Sequence, residues 1–330
     1  MRYSHLEKNI MNKRLFLMIA TLLVLGGLSG LAPTLGWLSN YYQLICMTIG
    51  INIILAVSLN LVNGFLGEFS VGHAGFMAIG AYISSFFSLH VFSSQAFLIS
   101  TIIAAVAAGM AGFVIAVLSF KTRGDYLAIL TLAFVMIVKS VLENLDIVGG
   151  PRGLPGIPKL TTLPWVFFWL LITLIVLRNL VDSRFGRNML AIREDELAAK
   201  LMGVDTRKTK ILAFSVSAFF TGIAGALYAH LLQFINPAVF NLEKSTDMLI
   251  MVYLGGAGSL TGSILGGTIY TLLLELLRPL AEWRMIFMPL LLILLMIFRP
   301  AGIMGLKEWS IFRRKAKIPA VSAGKQILSI

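Results

Sequence analysis

Nine apolar runs, separated by short polar joints, occupy most of this 330-residue chain. A helix needs about 20 apolar residues to cross the hydrocarbon core of a membrane, and most of the runs approach or exceed that length. They lie at 15–31, 41–62, 69–90, 96–119, 125–145, 164–180, 211–232, 248–277 and 284–298. Such runs in one chain predict an all-α polytopic membrane protein with about 8–10 transmembrane helices. A β-barrel would need short alternating strands instead.

Composition supports the same fold class and excludes most soluble ones. The chain is 58% apolar and 13% charged, whereas an ordinary globular domain carries about 25% charged residues. Cys46 is the only cysteine, so neither a disulfide nor a cysteine-based metal site is expected.

The first apolar run has two interpretations. It follows a basic head, 1–14, and a basic head before an apolar stretch is also the layout of a signal peptide. No small-residue cleavage site follows it, which favours a retained first helix. We therefore divide the chain into a basic N-terminal segment at 1–14, a membrane domain at 15–305 and a tail at 306–330.

The net charge of +12 is best explained by orientation. With the N-terminus in the cytoplasm, the joints 120–124 and 182–210 and the tail from 299 fall on the same side. Together with Arg178 and the basic segment 1–14, these regions hold 21 of the 27 basic residues. Basic residues favour the cytoplasmic side of a membrane, so both termini are expected there. This distribution makes nucleic acid an unnecessary explanation for the charge.

The run 248–277 does not fit a single upright crossing. As a helix it would be about 45 Å long, and the count of crossings requires it to return to its own side. Residues 254–259 read Leu-Gly-Gly-Ala-Gly-Ser, and glycines weaken a helix. We predict a re-entrant half-helix, a glycine-rich break and a full span.

Another glycine-rich break, which we call the first break because it comes earlier in the chain, lies at 63–75, in a roughly corresponding place of the first half. Paired breaks can mark a substrate site between repeats, or their glycines can simply let helices pack closely; the spacing leaves both open. The candidate translocation-path residues are Gly67, Ser70, Gly72, His73, Gly75, Gly255, Gly256 and Gly258. For His73, packing or hydrogen bonding is favoured over metal ligation.

Enzyme motifs are missing from the sequence. No phosphate-binding loop, H-E-x-x-H or C-x-x-C occurs, so no catalytic residue, bound cofactor or metal is expected. If the chain moves its substrate with ATP, another subunit must hydrolyse the ATP.

Charged residues within the apolar runs are few. Lys139 and Glu143 are spaced i,i+4 and are predicted to pair, as are Glu275 and Arg278 at i,i+3. The apolar runs lack the series of membrane-embedded carboxylates that is expected of a proton-coupled carrier. An ion-coupled secondary transporter stays an alternative.

The polar joint 182–210 is long, charged and patterned as a helix. Glu194, Asp195 and Glu196 are predicted to form its first turn, with Gly203 at the C′ position. Leu197, Leu201 and Val204 form an apolar stripe. That stripe is compatible with the headgroup layer, with packing on the chain's own spans, or with presentation to another protein.

Four stretches together resemble the membrane subunits of ABC importers for branched-chain amino acids, in particular the larger of the two paralogous permease subunits. They are 70–82 (SVGHAGFMAIGAY), 123–134 (RGDYLAILTLAF), 149–154 (GGPRGL), and 183–187 (SRFGR) with 196–203 (ELAAKLMG). The last stretch is similar to the importer coupling loop E-A-A-x-x-x-G. It keeps Ala198, Ala199 and Gly203, has Leu197 in place of the glutamate, and lacks the usual I-x-L-P.

The resemblance implies an ABC importer permease fold in a bacterial inner membrane. It also implies a paralogous permease partner, two cytoplasmic ATPases that carry ATP and Mg²⁺, and an extracytoplasmic binding protein. The coupling residues would be Arg187, Arg193, Glu194, Glu196, Ala198, Ala199, Leu201 and Gly203. The substrate would be a branched-chain amino acid, with urea or short amides as the alternative, because similar permeases handle them.

Overall fold

The computed structural model of the chain describes residues 39–90, 96–119, 125–298 and 301–305. Eight of the nine apolar runs fall in this part and all are helical, which confirms the all-α fold class; the run 15–31 lies outside it. The helices are α1 (Asn40–Asn60), α2 (His73–His90), α3 (Phe97–Ser119), α4 (Asp125–Glu143), α5 (Leu163–Asp182), α6 (Arg184–Glu194), α7 (Glu196–Leu201), α8 (Thr206–Leu232), α9 (Leu242–Gly255), α10 (Leu260–Leu276) and α11 (Arg284–Phe298).

Five helical segments of the described chain are long and apolar enough to cross a membrane. They are Asn40–Leu66, Phe97–Ser119, Tyr126–Glu143, Leu163–Asp182 and Thr206–Leu232. The first and last are the most buried of the five, whereas α4 presents most of its surface outward. The bundle therefore has α1 and α8 at its centre and α4 at its edge.

Small residues bring α2, α3 and α8 into close contact. A Cβ on Gly80 of α2 would lie 2.2 Å from the carbonyl oxygen of Gly222 in α8. A Cβ on Gly112 of α3 would lie 2.5 Å from the Cβ of Ala218. Membrane helices associate through such small-residue surfaces because lipid supplies no hydrophobic driving force between them.

Gly225→Ala is expected to destabilise the bundle by about 1–3 kcal/mol, the usual cost of overpacking. The added Cβ would lie 2.1 Å from the Met77 carbonyl oxygen, on the opposing backbone. Gly109→Ala is the matched control, because its Cβ would meet its nearest atom at 3.4 Å. Thermal unfolding in detergent measures both, and equal melting temperatures would contradict the prediction.

The run 248–277 forms a helical hairpin, as its glycines predicted. The arms α9 and α10 are joined at residues 256–259, with Gly256 at φ 124°. Close approach continues along the arms, since a Cβ on Gly266 would lie 1.9 Å from the Met251 carbonyl oxygen. The arms have 14 and 17 residues, and the second arm returns along the first.

The hairpin also explains the count of crossings. The start of α9 and the end of α10 line one cavity together, so both lie at the same end of the bundle. At the opposite end, the amides of Ile303 and Met304 donate to the carbonyls of Leu254 and Gly255 near the hairpin tip. The chain thus enters and leaves the hairpin on one side and reaches the other side through α11.

Both ion pairs predicted within the apolar runs are present. Lys139 Nζ lies 3.7 Å from Glu143 Oε1, and Arg278 Nη1 lies 3.1 Å from Glu275 Oε1. Glu275 also accepts a hydrogen bond from the Tyr41 hydroxyl. Neither pair is fully buried, in keeping with a neutralising role.

The loop at 149–154 is anchored by a short antiparallel ladder, in which β1 (Leu154–Pro155) pairs with β2 (Phe234–Ile235). Gly153 adopts φ 81°, and a Cβ there would lie 2.4 Å from the Ile235 carbonyl oxygen. Glycine is therefore required for this approach.

Candidate coupling and transport site

The polar joint 182–210 folds into two short helices, α6 and α7, of which α7 corresponds to the predicted helix. Asp195 lies between them in an extended conformation, and its Oδ1 accepts hydrogen bonds from the amides of Leu197 and Ala198. It is therefore the N-cap of α7. The prediction that Glu194 belongs to this first turn is wrong, because Glu194 is the last residue of α6. Glu196 does begin α7.

Gly203 lies where the sequence predicted it, directly after the cap of α7. Its φ is 82°, and its amide donates to the Lys200 carbonyl while Val204 donates to Ala199. This is the left-handed turn with which glycine commonly ends a helix. The turn lets the chain reverse into α8, whose N-cap is Asp205.

Of the predicted apolar stripe, Val204 is partly buried against the chain's own core, whereas Leu197 and Leu201 do not pack on it. Leu197 is 59% exposed, Leu201 89% and Met202 84%, whereas Ala199 on the opposite side is buried. Leucine and methionine this exposed beside a buried alanine form an apolar surface, which we call the α7 surface. Of the other candidates for coupling, Arg187, Glu194 and Ala198 are exposed, and Arg193 and Glu196 are partly buried.

The first glycine-rich break begins as a wider turn of α1. Residues Leu61–Leu66 form a π-helix that ends at Gly67, where φ is 80°. Single π-helical turns inside α-helices are frequently found at functional sites. Asn63, within this π-helix, holds closed the loop that follows it. Its Oδ1 accepts a hydrogen bond from the Ser70 amide and its Nδ2 donates to the Ser70 carbonyl, each at 3.2 Å.

Asn60 joins the two breaks directly. Its Oδ1 accepts from the Gly258 amide at 2.8 Å, and its Nδ2 donates to Ser259 O at 2.9 Å and Ser263 Oγ at 2.6 Å. Gly64 makes room for this contact, because a Cβ there would lie 1.8 Å from Asn60 Oδ1. The pairing of breaks along the sequence is therefore a contact in space.

Helix α6 rests on the first break. Arg193 Nη1 donates to the Gly64 carbonyl at 2.7 Å, and a Cβ on Gly67 would lie 2.7 Å from Arg193 Cγ. The lack of a Cβ at Gly67 thus permits both its positive φ and the close approach of Arg193. The polar joint contacts the break through backbone as well as side chains.

A buried lysine makes a second link between the same elements. Lys210, in the first turns of α8, has a side chain only 6% exposed. It forms ion pairs with Glu68, in the first break, and with Glu196 Oε2 of α7 at 3.1 Å. Burial raises the pKa of Glu196, but hydrogen bonds from Lys200 and Lys210 outweigh it, so this pKa lies below its ordinary value. The carboxylate stays charged at neutral pH.

The remaining candidates for the path lie inside the protein. A Cβ on Gly72 would lie 3.0 Å from the Cβ of Thr131, and one on Gly75 would lie 2.7 Å from Phe134 Cε1, both of α4. A Cβ on Gly255 would lie 1.9 Å from the Gly262 carbonyl oxygen. These glycines permit close packing, and Ser70 is fully buried beside them.

His73 is held within the bundle by a hydrogen bond between its Nε2 and Ser217 Oγ. Ser217 Oγ donates to the Ser58 carbonyl at 2.6 Å, so it accepts from His73 Nε2 at 2.7 Å. The described residues contain no group of three or more histidine, cysteine, aspartate or glutamate side chains arranged for a metal ion.

The sequence did not point to the cavity at the open end of the hairpin. Its volume is about 630 Å³, and none of the candidate path residues lines it. Polar and charged groups from α1, α9, α10 and the turn after α10 reach it, including Thr48, Glu243, Thr246, Asp247, Thr271, Glu275 and Arg278.

An all-α bundle of apolar helices, with a broken hairpin and a polar helical segment at one end, defines a polytopic membrane protein. The chain belongs to the family described as branched-chain amino acid transport system / permease component, whose model matches residues 41–298. It is therefore a multi-pass inner-membrane permease of the ABC-transporter class. Its family is one of transport proteins, not enzymes.

Individual relatives agree with the family. The high-affinity branched-chain amino acid transport system permease protein LivM of Escherichia coli is 35% identical over 289 residues, 77% of this chain and 68% of the relative. A probable LivM permease of Methanocaldococcus jannaschii is 26% identical, covering 85% and 98%. The E. coli LivH permease is 24% identical, covering 77% and 91%.

Proposed function

We propose that this chain is one half of an ATP-driven importer and forms the translocation path together with a paralogous permease. Similarity to relatives named LivM and LivH supports such a pair. The proposed substrates are branched-chain amino acids, which are the substrates in those relatives' names. The glycine-rich breaks joined by Asn60 would lie beside the path.

ATP hydrolysis would come from two cytoplasmic ABC ATPases, which bind ATP and Mg²⁺, and an extracytoplasmic binding protein would deliver the substrate. The α7 surface carries this proposal, because Leu197, Leu201 and Met202 are exposed on a segment that is otherwise capped and hydrogen-bonded. Apolar side chains on a short helix suit a groove of another protein. Charged neighbours such as Arg187 and Glu194 would form the polar rim of that contact.

The basic residues of the joint 182–210 argue that this surface faces the cytoplasm. Both termini would then lie there as well. An amino acid whose two charges cancel suits a path with few fixed charges. The separate binding protein would supply most of the discrimination among substrates.

Uptake of radiolabelled leucine tests the proposal in proteoliposomes that contain the permease pair, its ATPases and its binding protein. We expect uptake that requires hydrolysable ATP and persists after ionophores collapse the ion gradients. Competition by unlabelled isoleucine, but not by urea or acetamide, is expected as well. Gradient-driven uptake by the permeases alone would instead indicate a secondary carrier.

A further inference from the structure

Lys210 occupies a place that neither helix capping nor orientation explains. Lysine is almost never buried without a partner, because an uncompensated ammonium in a low-dielectric interior is costly. Here two carboxylates compensate it, and they come from different elements: Glu68 from the first break and Glu196 from α7. The lysine itself belongs to a third element, the long central helix α8.

The arrangement ties α7 to the break more strongly than surface pairs could. Lys208, two residues earlier, pairs with Asp205, but both side chains are largely exposed, and exposed pairs contribute little. Separating one carboxylate from the buried Lys210 would leave an uncompensated charge. A displacement of α7 at Glu196 is therefore expected to carry Lys210 and Glu68 with it.

A second contact limits the freedom of the same region. Arg193 Nη1 is bonded to the Gly64 carbonyl in the π-helical turn, and Gly64 lies against Asn60 and Gly258. A movement received at α7 thus reaches the first break and, through Asn60, the tip of the hairpin. The Arg193–Gly64 and Asn60–Gly258 steps are hydrogen bonds, and Gly64 packs against Asn60 between them.

We propose that Lys210 is a positioning residue that transmits displacement of α7 to the first glycine-rich break, through its ion pairs with Glu196 and Glu68. The inference rests on the proposed function, in which ATPases move α7. Loss of the link would leave the ATPases bound and able to hydrolyse ATP, while substrate movement per ATP would fall.

Glu68→Gln is the most informative variant, because it removes one arm of the link and leaves Lys210 paired with Glu196. Lys210→Met removes both arms, Lys210→Arg keeps the charge, and Lys208→Met is the matched control on the same helix. Each is assembled with its ATPases and binding protein in proteoliposomes. Leucine uptake, ATP hydrolysis, retained ATPase and the melting temperature are measured together.

We expect uptake per ATP to fall at least about tenfold in Glu68→Gln and Lys210→Met, as for loss of a buried ionic partner. Lys210→Arg should recover most of the ratio, and Lys208→Met should match the wild type. An unchanged ratio in Glu68→Gln would overturn the inference, whether or not Lys210→Met folds. Loss of the ATPases from a folded Glu68→Gln complex would overturn it too, because it would place the triad in docking. Either result leaves the proposed function to its own test at the α7 surface.

Discussion

Replacing Asn60 with leucine should lower the free energy of unfolding by about 2–4 kcal/mol and remove most of the uptake. The loss is expected to be large because the partly buried Gly258 amide would lose its Asn60 partner, and a buried donor without a partner costs about 1–3 kcal/mol. Ser259 O, in contrast, still accepts from the Ser263 amide and hydroxyl. The two further hydrogen bonds contribute about 1 kcal/mol or less each.

Asn52→Leu provides a matched control on the same helix. Asn52 is also buried in α1 but makes one hydrogen bond across the bundle, to Thr271 Oγ1 at 2.8 Å. That hydroxyl also donates to the Gly267 carbonyl, so it keeps a partner. We expect a loss of about 1 kcal/mol or less. Denaturant unfolding in detergent and leucine uptake are measured for the two variants. Equal effects would show that the contact between the breaks contributes no more to stability or uptake than the single hydrogen bond of Asn52.

The double variant Leu201→Glu and Met202→Glu should release the ATPases while the permease stays folded. Both side chains are more than four-fifths exposed, and exposed substitutions usually change stability by no more than about 0.5 kcal/mol. At a docking site the same charges would replace apolar contacts that are worth about 2 kcal/mol or more. We therefore expect affinity for the ATPases to fall about thirtyfold or more.

A conservative exchange, Leu201→Met with Met202→Leu, keeps the surface apolar and serves as the control. Co-purification of the ATPases, a titrated binding measurement and the melting temperature are recorded for both double variants. Undiminished ATPase binding by the glutamate variant would remove the α7 surface from the coupling mechanism. Loss of binding by both would indicate that shape, not apolarity, decides the contact.

Local sequence signals were sufficient for most of the helices. The apolar runs became helices because in a membrane each backbone amide must find its partner within the same segment. Gly203 was predictable for the same local reason, since a left-handed turn after a helix favours a residue without a Cβ. The hairpin at 248–277 followed from its length and from the glycines at its centre.

The start of α7 shows where local reasoning failed. In the run Glu194-Asp195-Glu196 all three residues are acidic and suit a helix's first turn, so the pattern alone does not identify the cap. Asp195 is the cap because its short side chain reaches the amides of Leu197 and Ala198. Preference of aspartate over glutamate at the N-cap was the available signal.

The partners in long-range polar contacts could not be predicted from the sequence. Asn60 and Lys210 find partners that are distant in the sequence, and their pattern along the chain does not say which ones. A polar side chain within an apolar run, such as Asn60, does signal that a partner exists. Naming Gly258 or Ser263 required the tertiary structure.

By itself, the sequence determined the membrane class, the helices and the places where they break, because these depend on hydropathy and backbone propensity within one segment. Only the tertiary structure decided that the two breaks touch through Asn60, that Lys210 joins α7 to Glu68, and that Leu201 and Met202 stay uncovered. The physical reason is that burial and pairing depend on which segments pack together. Packing is a property of the whole bundle, and a single run of residues does not identify its partners.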